Sequence, residues 1–259
     1  HQTMPHSGDI RSVPVPGVVD GWSKLHGRYG SVPLVDLLEP AVRLATRGFP
    51  ASPLLVPMVQ GVRGLPGAED FDNLDQVGQQ VRRPGVARAL RAFAEGGREA
   101  IYLGEFGDEL LMVGAGEFVT EDLERSHADW VKPLSVRVWG HDVWTAPPNS
   151  QGYLTLTASV IAEGLELPPE SDPLRAHLLV EAARQAGYDR PQVLHEKTDV
   201  EALLNSERLD QRRAAIDPDQ TARLGDCWND GDPTYLCVVD GEGMAVSLIQ
   251  SNADGFGSH

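Results

Sequence analysis

Few side chains in this sequence are spaced for chemistry. Its eight histidines include no His-Glu-x-x-His pair, the spacing that sets two imidazoles on one helix face around a zinc ion. His127, His141, His177 and His195 are scattered, as surface or capping residues are. The two cysteines, Cys227 and Cys237, are too few for a disulfide framework and lack metal-ligand spacing. Cys237 lies in an apolar run and is expected to fill a core. No Gly-x-Ser-x-Gly elbow presents a serine, and no glycine-rich loop followed by Lys and Ser/Thr cradles a phosphate. Neither a metal nor a cofactor is expected. Trp130, Trp139 and Trp144 are neighbours, and alternate placement around a turn points to core packing rather than a carbohydrate platform. The Asp232–Pro233 bond is of the acid-labile type, so breakage there does not require an enzyme.

The charge balance narrows the partners. Thirty-eight acidic residues against 22 basic ones leave a net charge of −16. Such a surface repels phosphate backbones and anionic lipid, so neither nucleic acid nor a membrane is an expected partner. No apolar run approaches the roughly 20 residues that cross a bilayer. Residues His1 to Ile10 are mixed and polar, without the pattern of a signal peptide. A chain that opens on His1 is expected to be cut from something longer, which leaves its location open.

The elements that must position any site follow from periodicity. Val18 to Tyr29 has apolar residues at helical spacing. Leu34, Leu37, Leu38, Ala41, Val42, Leu44 and Ala45 form a wide stripe with a period near 3.6, opened by Pro33 and closed by Gly48. Further helices are predicted over Leu54 to Val62, from Pro84 to a stop at Gly96-Gly97, over Phe106 to Met112, Gly152 to Glu163, Leu174 to Ala186 and Glu201 to Ala215. Gly64 to Arg83 and Asp217 to Asp232 are rich in Gly, Asp and Asn or Gln and are expected to be exposed loops. Two hairpins are predicted: Ser135 to Trp139 with Val143 to Thr145, and Tyr235 to Asp240 with Met244 to Gln250. The first strand of the second hairpin is apolar enough to be buried on both faces. This order predicts an α+β fold with helices covering a largely antiparallel sheet. Two hairpins are few for so much helix, so the sheet is expected to be incomplete in this chain.

Several stretches, in order, resemble the γ-glutamyltranspeptidase family. They are Val15-Pro16-Gly17-Val18-Val19-Asp20-Gly21-Trp22 with Arg28-Tyr29-Gly30, Leu37-Leu38-Glu39-Pro40-Ala41 with Gly48-Phe49-Pro50, Tyr102-Leu103-Gly104, Thr120-Glu121-Asp122-Leu123, Pro147-Pro148-Asn149-Ser150-Gln151-Gly152, and Tyr235 to Ser247. The resemblance implies a four-layer α-β-β-α sandwich of the N-terminal-nucleophile hydrolase type. It also implies a precursor that cuts itself before a threonine. The freed threonine, with its own α-amine as base, then attacks γ-glutamyl amides such as glutathione. Residues 1–232 would be a large-subunit-like segment ending in a flexible loop, and residues 233–259 the start of a small-subunit-like one. The chain would pair with the remaining family segments or with itself.

The same resemblance locates the candidate site and its departures. Val238-Val239-Asp240 puts the nucleophile position at Pro233, which has no hydroxyl. Thr234 is the neighbouring alcohol, on the opposite face of a strand, and serves only if the cut falls one residue later or a bulge re-aims it. Ser251 falls where the family has a supporting hydroxyl. Ala253 stands at a substrate-binding Asn position, and Met244 where Asn is usual. The family's carboxylate-gripping arginine precedes residue 1, and its amine-binding aspartate, paired serines and oxyanion glycines follow residue 259. The leading expectation is a γ-glutamyl hydrolase or transferase with Thr234 and Ser251 as catalytic residues. Two alternatives stay open: a catalytically silent homologue with a scaffold role, and an acylase on another amide such as a glutaryl side chain.

Overall fold

A computed structural model describes residues 5, 8–195, 197–224, 234–252 and 255–257. The chain divides into two compact units, one of His1–Asp129 with Gly231–His259 and one of Trp130–Asp230. Pro233, Cys227 and Ala253 lie outside the described residues.

The first unit opens with α1 (Val18–Tyr29) and α2 (Leu34–Arg47). The apolar stripe of α2 is wider than its buried face. Leu34 and Leu38 pack on a core of Phe93, Ile101, Tyr102 and Leu123, whereas Leu37 and Leu44 are about half exposed. The later helix Pro84–Tyr102 packs against α2. A short ladder joins β1 (Phe49–Pro50) to β2 (Gln80–Val81), with Phe49 opposite Val81. Two-residue strands leave no periodicity, and the sequence gives no sign of them. The expected helix from Leu54 to Val62 is split into α3 (Leu55–Met58) and a 3-10 turn at Val59–Gly61. Pro57 has no N–H to extend the ladder.

The stretch from Gly64 to Arg83 is not simply an exposed loop. Ala68, Phe71, Leu74 and Val81 are buried and join Ala51, Val59 and Val62 in a core of their own. Phe256, near the other end of the chain, packs against it, its ring centroid 5.3 Å from that of Phe71. The glycines and aspartates shape the turns while widely spaced apolar residues fill the interior.

Helix α4 (Pro84–Tyr102) runs past the expected stop. Gly97 adopts φ 66°, ψ −152°, which breaks the helix and redirects it; a left-handed φ costs glycine little. The five residues after the break carry Arg98, Ile101 and Tyr102 into the core. Helices α5 (Glu105–Val113) and α6 (Thr120–Glu124) complete this part.

The second unit begins with the hairpin β3 (Leu134–Val138) and β4 (His141–Thr145), in register Leu134–Thr145 through Val138–His141. Its inner face meets α7 (Tyr153–Glu163). The expectation that Trp130, Trp139 and Trp144 pack in a core is overturned, since each is more than half exposed. Trp144 shares the outer face with Ser135, and Trp139 sits in the turn with φ 48°. Helix α8 (Pro173–Gly187) packs on α7 through Ile161, Ala162, Ala182 and Ala186. After α9 (Arg190–Val193), the single helix expected over Glu201 to Ala215 is two: α10 (Val200–Leu203) and α11 (Ser206–Ala214). Asn205 separates them because its Oδ1 accepts from the N–H groups of Glu207 and Arg208 and caps α11.

The last elements are β5 (Thr234–Val239) and β6 (Ala245–Gln250), an antiparallel pair that forms a two-stranded sheet of its own. Burial on both faces is the expectation that fails here. Every β5 residue is exposed, and only Val246 and Leu248 of β6 are partly covered. Cys237 is likewise exposed rather than a core residue. A strand this apolar is built for two covered faces, and this hairpin is joined to no further strand among the described residues.

Candidate active site

The second hairpin is closed by its own aspartate. Asp240 Oδ1 accepts from the N–H groups of Glu242 and Met244 at 2.9 and 2.8 Å. The backbone N–H of Asp240 donates to the Met244 carbonyl at 3.0 Å, and Gly243 takes φ 87°. Met244 therefore serves the turn through its backbone, and its exposed side chain supplies no amide where the resemblance calls for Asn. Asx-type closure of this kind fixes the strand register.

That register decides which side chains can cooperate. Thr234 lies opposite Gln250, Leu236 opposite Leu248 and Val238 opposite Val246. The other face carries Tyr235, Cys237 and Val239 against Ile249, Ser247 and Ala245; Ser247 Oγ and the Tyr235 hydroxyl lie 3.4 Å apart on it. Ser251 follows Gln250 directly, one residue past the end of β6. The structure thus brings Thr234 and Ser251 to the same end of one hairpin, with Ser251 one residue beyond the Thr234–Gln250 pair. Both are exposed. Among the described residues no group of three His, Cys, Asp or Glu side chains converges to hold a metal.

Other family-like stretches meet elsewhere, in a buried polar network of the first unit. Asp20, from the Val-Pro-Gly entry, is 1% exposed and accepts from Arg98 Nε at 2.5 Å and from the His127 N–H at 2.9 Å. Arg98 Nη2 also donates to the carbonyls of Leu123 and Arg125, at 2.7 and 2.6 Å. Its guanidinium lies 4.5 Å from the Tyr102 ring centroid, and the Tyr102 hydroxyl donates to the Pro16 carbonyl. Burial and the Asp20 carboxylate push the Tyr102 phenol above its ordinary pKa, so it remains a donor. Three of the recognisable stretches are joined here by packing and hydrogen bonds, an architectural role.

In the second unit, Pro147 to Gly152 forms a turn after β4. Ser150 Oγ accepts from the Gly152 N–H at 3.2 Å, and a Cβ on Gly152 would collide with Thr145 Oγ1 and Cβ. Gly152→Ala is therefore expected to cost about 1–3 kcal/mol of stability by forcing the turn off β4. Urea unfolding would check this, and an unchanged midpoint would show that the turn can shift freely.

A polar row on α8 escaped the sequence argument. His177, Glu181 and Arg184 all contact backbone of the 217–222 segment. Their spacing of four and three residues was a legible signal of one helix face.

Known proteins supply the frame for this geometry. The family model described as "Gamma-glutamyltranspeptidase" matches residues 1–259. The glutathione hydrolase-like YwrD proenzyme of Bacillus subtilis (strain 168) is 30% identical, over 98% of this chain and 52% of its own length. The oxamate amidohydrolase proenzyme of Klebsiella pneumoniae is 28% identical, over 98% of this chain and 52% of its own. Among solved structures, cephalosporin acylase from Bacillus halodurans superposes with a TM-score of 0.84 at 33% identity, over 98% of this chain and 51% of that one. The chain spans about half the length of the curated relatives it matches. The sequence motifs, the mixed helix-and-sheet fold and these matches agree that the chain belongs to the gamma-glutamyltranspeptidase family.

Proposed function

We propose that this chain supplies the nucleophile edge of an amide-cleaving enzyme acting on γ-glutamyl amides such as glutathione. The observation that carries it is the place of Thr234: an exposed hydroxyl on the first residue of β5, directly after the segment where a precursor of this kind would be cut. The Thr234 hydroxyl attacks the Pro233 carbonyl, the peptide nitrogen leaves as the Thr234 α-amine, and water hydrolyses the resulting ester. The freed amine then takes the hydroxyl proton as Oγ attacks the substrate carbonyl. An amine leaves with that proton, and water or an acceptor amine releases the γ-glutamyl group. The boundary between the large and small segments lies, in this reading, one residue beyond 232/233.

The remainder of the site would come from polypeptide paired with this chain. The bare faces of β5 and β6 suit further layers, in keeping with a four-layer α-β-β-α sandwich. Relatives named as acylase and as amidohydrolase leave room for another acyl group on the same carbonyl chemistry. Initial rates of the full-length protein on a γ-glutamyl anilide and a glutaryl anilide rank the two; a faster glutaryl rate would overturn the γ-glutamyl assignment.

A second reading is a catalytically silent homologue that acts as a scaffold. It is favoured by Pro233, a residue without a hydroxyl, at the position that the family resemblance assigns to the nucleophile.

A further inference from the structure

The break in α4 leaves a space in the first unit that the described side chains do not fill. Before Gly97, α4 contributes Leu90 and Phe93 to its wall; beyond the break, the same helix contributes Tyr102. Val19 and Trp22 of α1 form a second wall, and Phe106 of α5 a third. The cavity measures about 140 Å³ and its lining is wholly apolar. Phe106, 38% exposed, marks its open side, whereas Phe93 and Tyr102 are each 2% exposed. The Trp22 and Phe93 rings lie 6.0 Å apart between centroids and are tilted by 40°, so they do not stack shut. The Tyr102 hydroxyl is engaged by the Pro16 carbonyl and is not free to orient a polar guest. Side chains around such a gap lack partners for dispersion contacts on one side, and an apolar cavity of about 150 Å³ is enough to hold benzene. A γ-glutamyl group would bury its carboxylate and ammonium there unpaired, so the cavity is no second seat for that substrate.

We propose that this cavity is a binding site for an uncharged small molecule with one aromatic ring. The inference is independent of the amide-cleaving reading above. Four of the lining side chains, Trp22, Phe93, Tyr102 and Phe106, are aromatic, and a guest ring gains from offset or edge-to-face contact with them beyond the area it buries. Once seated, the ring touches α1, α5 and α4 on both sides of its break. It therefore binds the folded unit and not the unfolded chain, and stabilises the fold by mass action.

The test uses benzene, its heavy-atom analogue iodobenzene and the charged analogue benzoate with the full-length protein. At ten times its Kd, benzene is expected to raise the folded-to-unfolded ratio about elevenfold, read as a rise in Tm. Benzoate is expected to bind about tenfold more weakly or worse, since its charge finds no partner in the lining. Iodobenzene is expected to quench tryptophan emission saturably, and Trp22→Phe is expected to abolish that component, because Trp130, Trp139 and Trp144 do not line the cavity. Ala89 also lines the wall. Ala89→Leu places a larger side chain there at little cost in helix propensity and is expected to remove both the Tm rise and the saturable quenching. Should Ala89→Leu fail to fold, the wild-type titration and Trp22→Phe still decide. No Tm rise and no saturable quenching in wild type would overturn the site. So would quenching that persists in Trp22→Phe, or a benzene effect that folded Ala89→Leu keeps in full. Benzoate binding as tightly as benzene would overturn the assignment to an uncharged ligand.

Discussion

Thr234→Ala is expected to leave the full-length protein as a single uncut chain and to lower γ-glutamyl anilide hydrolysis on the order of 10⁴-fold or more, the scale on which loss of a covalent nucleophile is felt. The change removes one hydroxyl and a methyl group from an exposed strand entry, so stability is expected to move by less than about 0.5 kcal/mol. Activity and fold are thereby separated. Thr234→Ser, which keeps the alcohol, is expected to retain the cut. A Thr234→Ala protein that hydrolyses the anilide at the wild-type rate would remove Thr234 from the chemistry. Pro233→Thr discriminates the silent reading. A silent wild type that gains hydrolysis with this change would have lost its nucleophile to proline.

Arg98→Met is expected to destabilise the protein by about 3 kcal/mol or more, because it leaves a buried carboxylate without its cation. Asp20, 1% exposed, would keep only the His127 N–H among the contacts described above, and the carbonyls of Leu123 and Arg125 would lose their shared donor. The side chain of Arg98 is 17% exposed, so water replaces part of the loss. Adding Asp20→Ala to Arg98→Met should cost less than the sum of the single changes, since the orphaned charge goes with its partner. Urea denaturation of the four proteins gives the cycle; an Arg98→Met midpoint equal to wild type would show that the network does not support the fold.

How far the fold could be read depended on whether a local pattern or a tertiary contact set each feature. Helices α1, α2, α7 and α8 carry apolar residues at a sustained helical period, and their ends fall within one or two residues of expectation. Gly97 was legible as a breaker, but not as a hinge, because whether a helix resumes depends on what Arg98 and Tyr102 find beyond it. Asn205 could have been recognised as a cap inside the charged stretch from Glu201. Burial was the poorest inference. Tyr235 to Val239 reads as a two-sided core strand, yet its covering layers are absent from the described residues, and composition reports what a strand is suited to rather than what lies over it. The tryptophans of the β3–β4 hairpin failed in the same way.

The candidate site was legible only as a position. Resemblance pointed to 233, alternation warned that Thr234 would face away, and the register of β5 with β6 sets Thr234 opposite Gln250, the residue before Ser251. The α8 row was legible as one helix face, but its partners were not, because they are peptide groups, which leave no trace in side-chain identity.

The most direct test is the mass of the fragments formed by the full-length protein at neutral pH. The expected result is two chains whose downstream member begins at Thr234, with no such pair in Thr234→Ala. A single intact chain that releases no γ-glutamyl anilide, or a downstream fragment that begins at Pro233, heavier by one proline residue and formed equally by Thr234→Ala, would contradict a Thr234-based amide-cleaving enzyme.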